Sequence, residues 1–210
     1  MDIAIIDYGV GNLRSAEKAF QHLGFDAALT TDPAALASAR KIVLPGVGAF
    51  GECMERLKEH EFVEPLLKEV RAGKPLLGIC VGLQMLFEGS EETPDIAGLG
   101  LLKGVVKKFK GPEFGRSGGL KIPQIGWNSL SYPDESKRHP LFANLPLGTH
   151  VYFVHSFFAQ PDDPGDVLAW SDYGGNFCAS AGRANVMGVQ FHPEKSQRAG
   201  LAILSNFVKA

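Results

Sequence analysis

The chain has 210 residues, with 21 basic and 23 acidic side chains and a formal charge of −2 at pH 7. That balance excludes a strongly basic nucleic-acid binder and gives no electrostatic case for an anionic membrane partner. Three cysteines (Cys53, Cys80 and Cys178) are odd in number, widely spaced and lack a C-x-x-C pair, which argues against a disulfide framework or zinc ribbon and for a reducing, cytoplasmic setting. The opening apolar run is too short for a signal peptide, and no stretch approaches the roughly 18 apolar residues of a membrane span.

The first half alternates strand and helix signals. Residues 3–6 read as a buried strand, and 13–23 as a helix with apolar spacing through Leu13, Ala16, Ala19, Phe20 and Leu23. Residues 25–30 predict a second strand, and Asp32-Pro33 opens another helix as N-cap and first helical residue. A third strand at 41–44 runs into Pro45-Gly46-Val47-Gly48. A helical region then extends to Ala72, broken near 60–65 because Pro65 cannot continue a hydrogen-bond ladder. Residues 75–79 predict a fourth strand and 80–88 a helix.

Strands alternating with helices imply a mostly parallel sheet covered on both faces. The second half instead offers strand-like runs at 104–109, 127–132, 150–158, 167–172, 177–182 and 186–191, read as an antiparallel extension of the same sheet, and then a helix at 197–208. The predicted architecture is α/β, one domain over 1–210, with 111–119 as its mobile loop.

The most informative string is Leu77-Gly78-Ile79-Cys80-Val81-Gly82-Leu83-Gln84. A buried strand, then G-x-C-x-G, then a helix is the cysteine form of a nucleophile elbow. Glycines at 78 and 82 leave room for a sharp turn that pushes Cys80 out of the sheet. A helix N-terminus there favours the reactive thiolate, and the Val81 N–H faces a developing oxyanion. A second string, Phe191-His192-Pro193-Glu194, ends a strand. Residues i and i+2 of extended chain project to one side, so Glu194 can orient His192, forming the base-and-orienter half of a triad. The Pro45–Gly48 turn could complete the oxyanion hole through N–H groups around Gly46 and Val47. Val47 is β-branched and resists the conformations open to glycine, so its N–H is expected to face away in the resting chain.

Other motifs carry less. Gly9-Val10-Gly11-Asn12-Leu13-Arg14 fails as a dinucleotide fingerprint, because Arg14 stands at the third glycine position. His155 is the one rival to His192 as base, but on an apolar strand it reads more readily as a satisfied core histidine; Cys53 and Cys178 read as structural.

Together, Pro45-Gly46-x-Gly48, Gly78-x-Cys80-x-Gly82-x-Gln84 and Phe191-His192-Pro193-Glu194 resemble the class I, triad-type glutamine amidotransferases. Within them, Ile6-Asp7-Tyr8-Gly9-x-Gly11-Asn12-Leu13, Pro123-Gln124-Ile125-Gly126-Trp127-Asn128 and Tyr152-Phe153-Val154-His155-Ser156 are similar to the glutaminase subunits of imidazole glycerol phosphate synthases. The resemblance implies a Cys80–His192–Glu194 triad and a γ-glutamyl thioester. It also implies glutamine held by Gln84 and the backbone near Gly48, Ser156 and Phe157, with no cofactor or metal. Phe157 lacks any hydroxyl to add to that contact. Ammonia would pass to a (β/α)8-barrel cyclase in a heterodimer serving histidine biosynthesis. Tyr8, Asn12, Trp127, Asn128 and Lys195 are its expected partner-facing residues. The alternatives are another pathway's glutaminase, a cysteine hydrolase acting alone, and a non-catalytic binding member that kept the fold, the last opposed by the joint presence of Cys80, His192 and Glu194.

Overall fold

The computed structural model describes residues 1–115 and 119–209. Its elements in chain order are β1 (Ile3–Ile6), α1 (Leu13–His22), β2 (Ala27–Thr30), β3 (Lys41–Gly46), α2 (Phe50–Glu59), α3 (Val63–Arg71), β4 (Leu76–Cys80) and α4 (Val81–Met85). The second half adds β5 (Gly89–Ser90), β6 (Gly104–Lys108), β7 (Gln124–Ser129), β8 (His150–His155), β9 (Phe157–Pro161), β10 (Val167–Asp172), β11 (Asn176–Arg183), β12 (Val186–Val189) and α5 (Gln197–Lys209).

A seven-stranded sheet in the order β10-β11-β12-β4-β3-β1-β2 forms the centre. Strands β12, β4, β3, β1 and β2 run parallel, and β11 and β10 continue the sheet antiparallel. The strands β1 and β4 are buried along their whole length, as their unbroken apolar runs require between two helical layers. Helices α1 and α3 each bury one stripe, Ala16, Ala19 and Phe20 on α1 and Leu66, Leu67 and Val70 on α3. Pro65 sits in the first turn of α3, where its missing N–H has no intrahelical acceptor to lose. The break predicted near 60–65 falls between α2 and α3.

Three expectations are corrected. First, not all second-half strands join the main sheet. β5, β6 and β9 form a three-stranded sheet, and among the described residues β7 and β8 form a separate two-stranded one. Alternation of apolar and polar residues marks a half-buried strand but does not name its neighbour. Second, the helix that Asp32 caps and Pro33 opens is present as expected but is of the 3-10 type and short, spanning Pro33–Ser38. Third, the helix after Cys80 spans only Val81–Met85; the Leu86 N–H bonds back to Leu83 O and the Glu88 N–H to Gly104 O, drawing the chain toward β5. The loop predicted to be mobile lies partly outside the described residues. Within its described part, Phe114 stacks 5.5 Å from Phe109 and 5.9 Å from Tyr173.

The sheet topology positions the site. Gly46 pairs with Cys80 at the ends of β3 and β4, and β12 lies on the other side of β4 with Val189 opposite Ile79. Three neighbouring strands thus release their chains at one edge, where open α/β sheets hold ligands.

Candidate active site

Cys80 has φ +57° and ψ −112°, a left-handed backbone that disfavours a residue with a β-carbon. Close packing holds it there. A β-carbon at Gly82 would lie 1.9 Å from Leu44 O, and one at Gly78 would lie 2.6 Å from Gly82 O. Glycine at both positions lets the helix start press against β3. Val81 is the first residue of α4, so its N–H has no intrahelical acceptor. Because α4 has five residues, its dipole supplies little of the thiolate stabilisation expected from the sequence.

His192 and Glu194 follow β12. His192 Nδ1 lies 2.8 Å from Glu194 Oε1, and both side chains are almost wholly buried. Burial alone would lower the His192 pKa, but hydrogen bonding to Cys80 and Glu194 overrides it and raises the value to about 10. Ser196 fixes the backbone, since its Oγ donates to His192 O at 2.7 Å and accepts the Tyr152 N–H at 3.0 Å. Asn12 Nδ2 reaches Glu194 Oε1 at 3.4 Å, an outer support for the pair.

Cys80, Val81, His192, Asn12, Val47, Gly48, Gln84, Ser156, Phe157 and Lys195 border one cavity of about 610 Å³. Gly46 stands behind this wall, at the end of β3. The turn that carries it is held from below by two buried groups. The Tyr8 hydroxyl donates to Pro45 O at 2.6 Å, and the Cys53 thiol donates to Val47 O at 3.3 Å. The left-handed residue of the turn is Gly48, at φ +95°. Burial raises the Cys53 pKa to about 11 and that of Cys178 to about 12, so both are inert thiols at neutral pH.

Tyr8 is therefore not partner-facing. It is fully buried, with its phenol spent on the turn carbonyl. Asn128 is half-buried and donates its Nδ2 to Asp172 O at 2.6 Å. Trp127 and Lys195 are exposed. His155 is buried, as a core histidine should be, but it also borders the cavity. Its ring bridges Phe157 O at 2.8 Å and the Gln124 side chain at 2.9 Å, and burial lowers its pKa to about 4.

Sequence reasoning missed two residues. Glu92 borders the cavity and takes the Phe50 N–H at 2.8 Å, yet in Ser90-Glu91-Glu92-Thr93 it looks like any surface acid. Gln190 is fully buried near Cys80; a polar residue inside the apolar run Val186–Phe191 was the available signal.

The family model described as glutamine amidotransferase class-I matches residues 4–210. A protein of Syntrophotalea carbinolica named imidazole glycerol phosphate synthase subunit HisH is 51% identical over 205 residues, covering 98% of each chain. Its namesake from Geobacter sulfurreducens is 51% identical over 207 residues, covering 98% of this chain and 97% of the relative. Among solved structures, a glutamine amidotransferase superposes with a TM-score of 0.75 at 19% identity, covering 100% of this chain and 98% of the other. The PurLQS structure from Thermotoga maritima gives 0.74 at 21% identity, covering 99% and 97%. At those identities the structures speak for the fold alone. The chain belongs to the class I glutamine amidotransferases and, among them, to the HisH subunits of imidazole glycerol phosphate synthase.

Proposed function

We propose that this glutaminase subunit works through Cys80, His192 and Glu194. The observation that carries the reading is the strained Cys80 at the strand end, facing the raised-pKa imidazole of a buried His192–Glu194 pair. Cys80 sulfur attacks the side-chain amide carbon of glutamine, and the thiol proton resides on His192. The tetrahedral oxyanion is met by the Val81 N–H and by the Gly46–Val47 turn. As the C–N bond breaks, His192 returns the proton to the leaving nitrogen, releasing ammonia and leaving a γ-glutamyl thioester. Water, deprotonated by His192, then attacks the thioester and frees glutamate and Cys80. Glu194 keeps the imidazole oriented and compensates its charge in a buried site.

Glutamine fits the cavity chemistry. The Glu92 carboxylate can meet the α-ammonium, and Gln84, Gly48, Ser156 and Phe157 offer polar groups along the wall.

The second half of the function requires a partner. Ammonia released here would pass to a (β/α)8-barrel cyclase subunit, where it serves formation of imidazole glycerol phosphate. Ile125 and Trp127, 63% and 45% exposed, stand on β7, with Tyr152 of β8 6.0 Å from the Trp127 ring. This apolar face of the β7–β8 pair, with Lys195 and Asn12 nearer the cavity, suits the contact. The test is glutamate release by the purified chain, alone and with the cyclase and its nucleotide substrate, beside Cys80→Ala. Release that rises with the partner and is lost in Cys80→Ala is the expected result. Equal release by wild type and variant overturns the assignment.

A further inference from the structure

The proposed reaction uses three side chains, but a fourth polar group reaches the same sulfur. Gln190 follows β12 and is 0% exposed, with its Nε2 3.9 Å from Cys80 Sγ. A primary amide buried that deeply is costly unless its atoms are bonded.

Neighbouring groups decide which end of this amide faces the sulfur. The Phe157 carbonyl oxygen can only accept. It lies 3.1 Å from Gln84 Nε2, so Gln84 presents its NH2 there. The same NH2 reaches Gln190 Oε1 at 3.1 Å. Gln190 therefore accepts through its oxygen, and its NH2 is left to Cys80. The Phe157 carbonyl is itself fixed by the His155 ring at 2.8 Å, which is tied to Gln124 of β7 at 2.9 Å. A continuous buried chain runs from the paired strands β7 and β8 to the sulfur, and its last link is an N–H donor.

The other groups around Cys80 differ in what they favour. The Val154 carbonyl of β8, 3.9 Å from Sγ, suits a thiol that donates S–H and disfavours an anion. His192, beyond β12, favours the anion. Tyr8 and Cys53 face the sulfur from β1's end and α2, both neutral and holding turn carbonyls. An N–H donor opposite the Val154 carbonyl shifts this balance toward the thiolate.

We propose that Gln190 takes part in the reaction by donating its side-chain NH2 to the Cys80 sulfur, with Gln84 and His155 acting as positioning residues that hold the amide in that sense. The proposal rests on Cys80 being the nucleophile. Gln190 stabilises the attacking thiolate and again the thiolate expelled when the thioester is hydrolysed.

The test is the pH dependence of Cys80 alkylation by iodoacetamide, read from the Cys80 peptide by mass spectrometry in the full chain. Gln190→Met removes the donor. Gln190→Glu keeps an acceptor for Gln84 but places an oxygen where the NH2 stood. The midpoint of alkylation is expected to rise by about one pH unit in Gln190→Met, and further in Gln190→Glu. Turnover of glutamine with the partner present should fall about tenfold while KM changes less than about threefold. Midpoints and turnover like wild type in folded variants overturn the proposal, as does a loss of melting temperature with no change in midpoint. If neither variant folds, the side-chain NH2 resonances of Gln190 decide on the unaltered backbone. They should shift with pH in wild type over the range in which Cys80 alkylation rises, and stay fixed in Cys80→Ala. Resonances that do not titrate in wild type overturn the proposal. A wild type that alkylates as described but never releases glutamate overturns the glutaminase reading instead.

Discussion

Gly82 approaches Leu44 so closely that a β-carbon at position 82 would sit 1.9 Å from the Leu44 carbonyl oxygen. The contact joins the start of α4 to β3, and so joins the cysteine to the turn proposed as its oxyanion hole. Backbone on one side and a strained residue two positions earlier leave little room to yield. Gly82→Ala is expected to destabilise the chain by about 3 kcal/mol, a fall of roughly 6–12 °C in melting temperature. An unchanged melting temperature would contradict the account of the elbow.

Much of this was legible in the sequence. The buried parallel strands are largely apolar runs, and the elbow announces itself because only glycines fit two positions before and two positions after Cys80. What was hidden depends on contacts distant in the chain. The runs at 104–109 and 150–158 look like strands, but nothing in them says that β6 and β9 pair apart from the main sheet. Tyr8 looks like a surface aromatic in a glycine turn, because its partner, Pro45 O, is set by the packing of β1 beside β3. Glu92 and Gln190 become visible only when the strand ends and the following loop converge on one cavity. The apolar neighbours of His155 on β8 mark it as buried, but its bond to the Phe157 carbonyl depends on how the chain turns from β8 into β9.

The Val47 position makes a prediction about the resting site. Its carbonyl is pinned by Cys53, and the left-handed backbone falls one residue later, at Gly48. Glycine at 47 would let the Gly46–Val47 peptide turn its N–H toward the cavity at little cost. Val47→Gly is expected to raise glutamate release by the chain alone about tenfold and to shrink stimulation by the partner. Unchanged basal release would show that this peptide does not limit the free subunit.

His155 predicts an acid-sensitive core. Its folded pKa of about 4 lies below the unfolded value near 6.5, so folding favours the neutral ring. The stability it contributes is full above pH 6.5 and is lost as pH falls toward 4. Burial is the leading cause, so a neutral replacement removes the effect. The denaturation midpoint in urea of wild type should drop more steeply between pH 6.5 and 4 than that of His155→Gln. Parallel curves would show that His155 is not the titrating group.

Trp127 is expected to anchor the partner. The ring is held edge-on to Tyr152 at 6.0 Å and is 45% exposed, so it enters an interface already oriented. Trp127→Ala is expected to weaken association with the cyclase by about 30-fold, measured by calorimetry, and to leave the free chain's melting temperature within about 2 °C. Unaltered affinity would place the interface elsewhere.

The most direct test of the account is glutamate release from glutamine by the chain together with its cyclase partner, compared with the same complex carrying Cys80→Ala. The triad account predicts robust release by wild type and a loss of at least about a thousandfold in the variant, with the complex still assembling. Release by Cys80→Ala at the wild-type rate would contradict it.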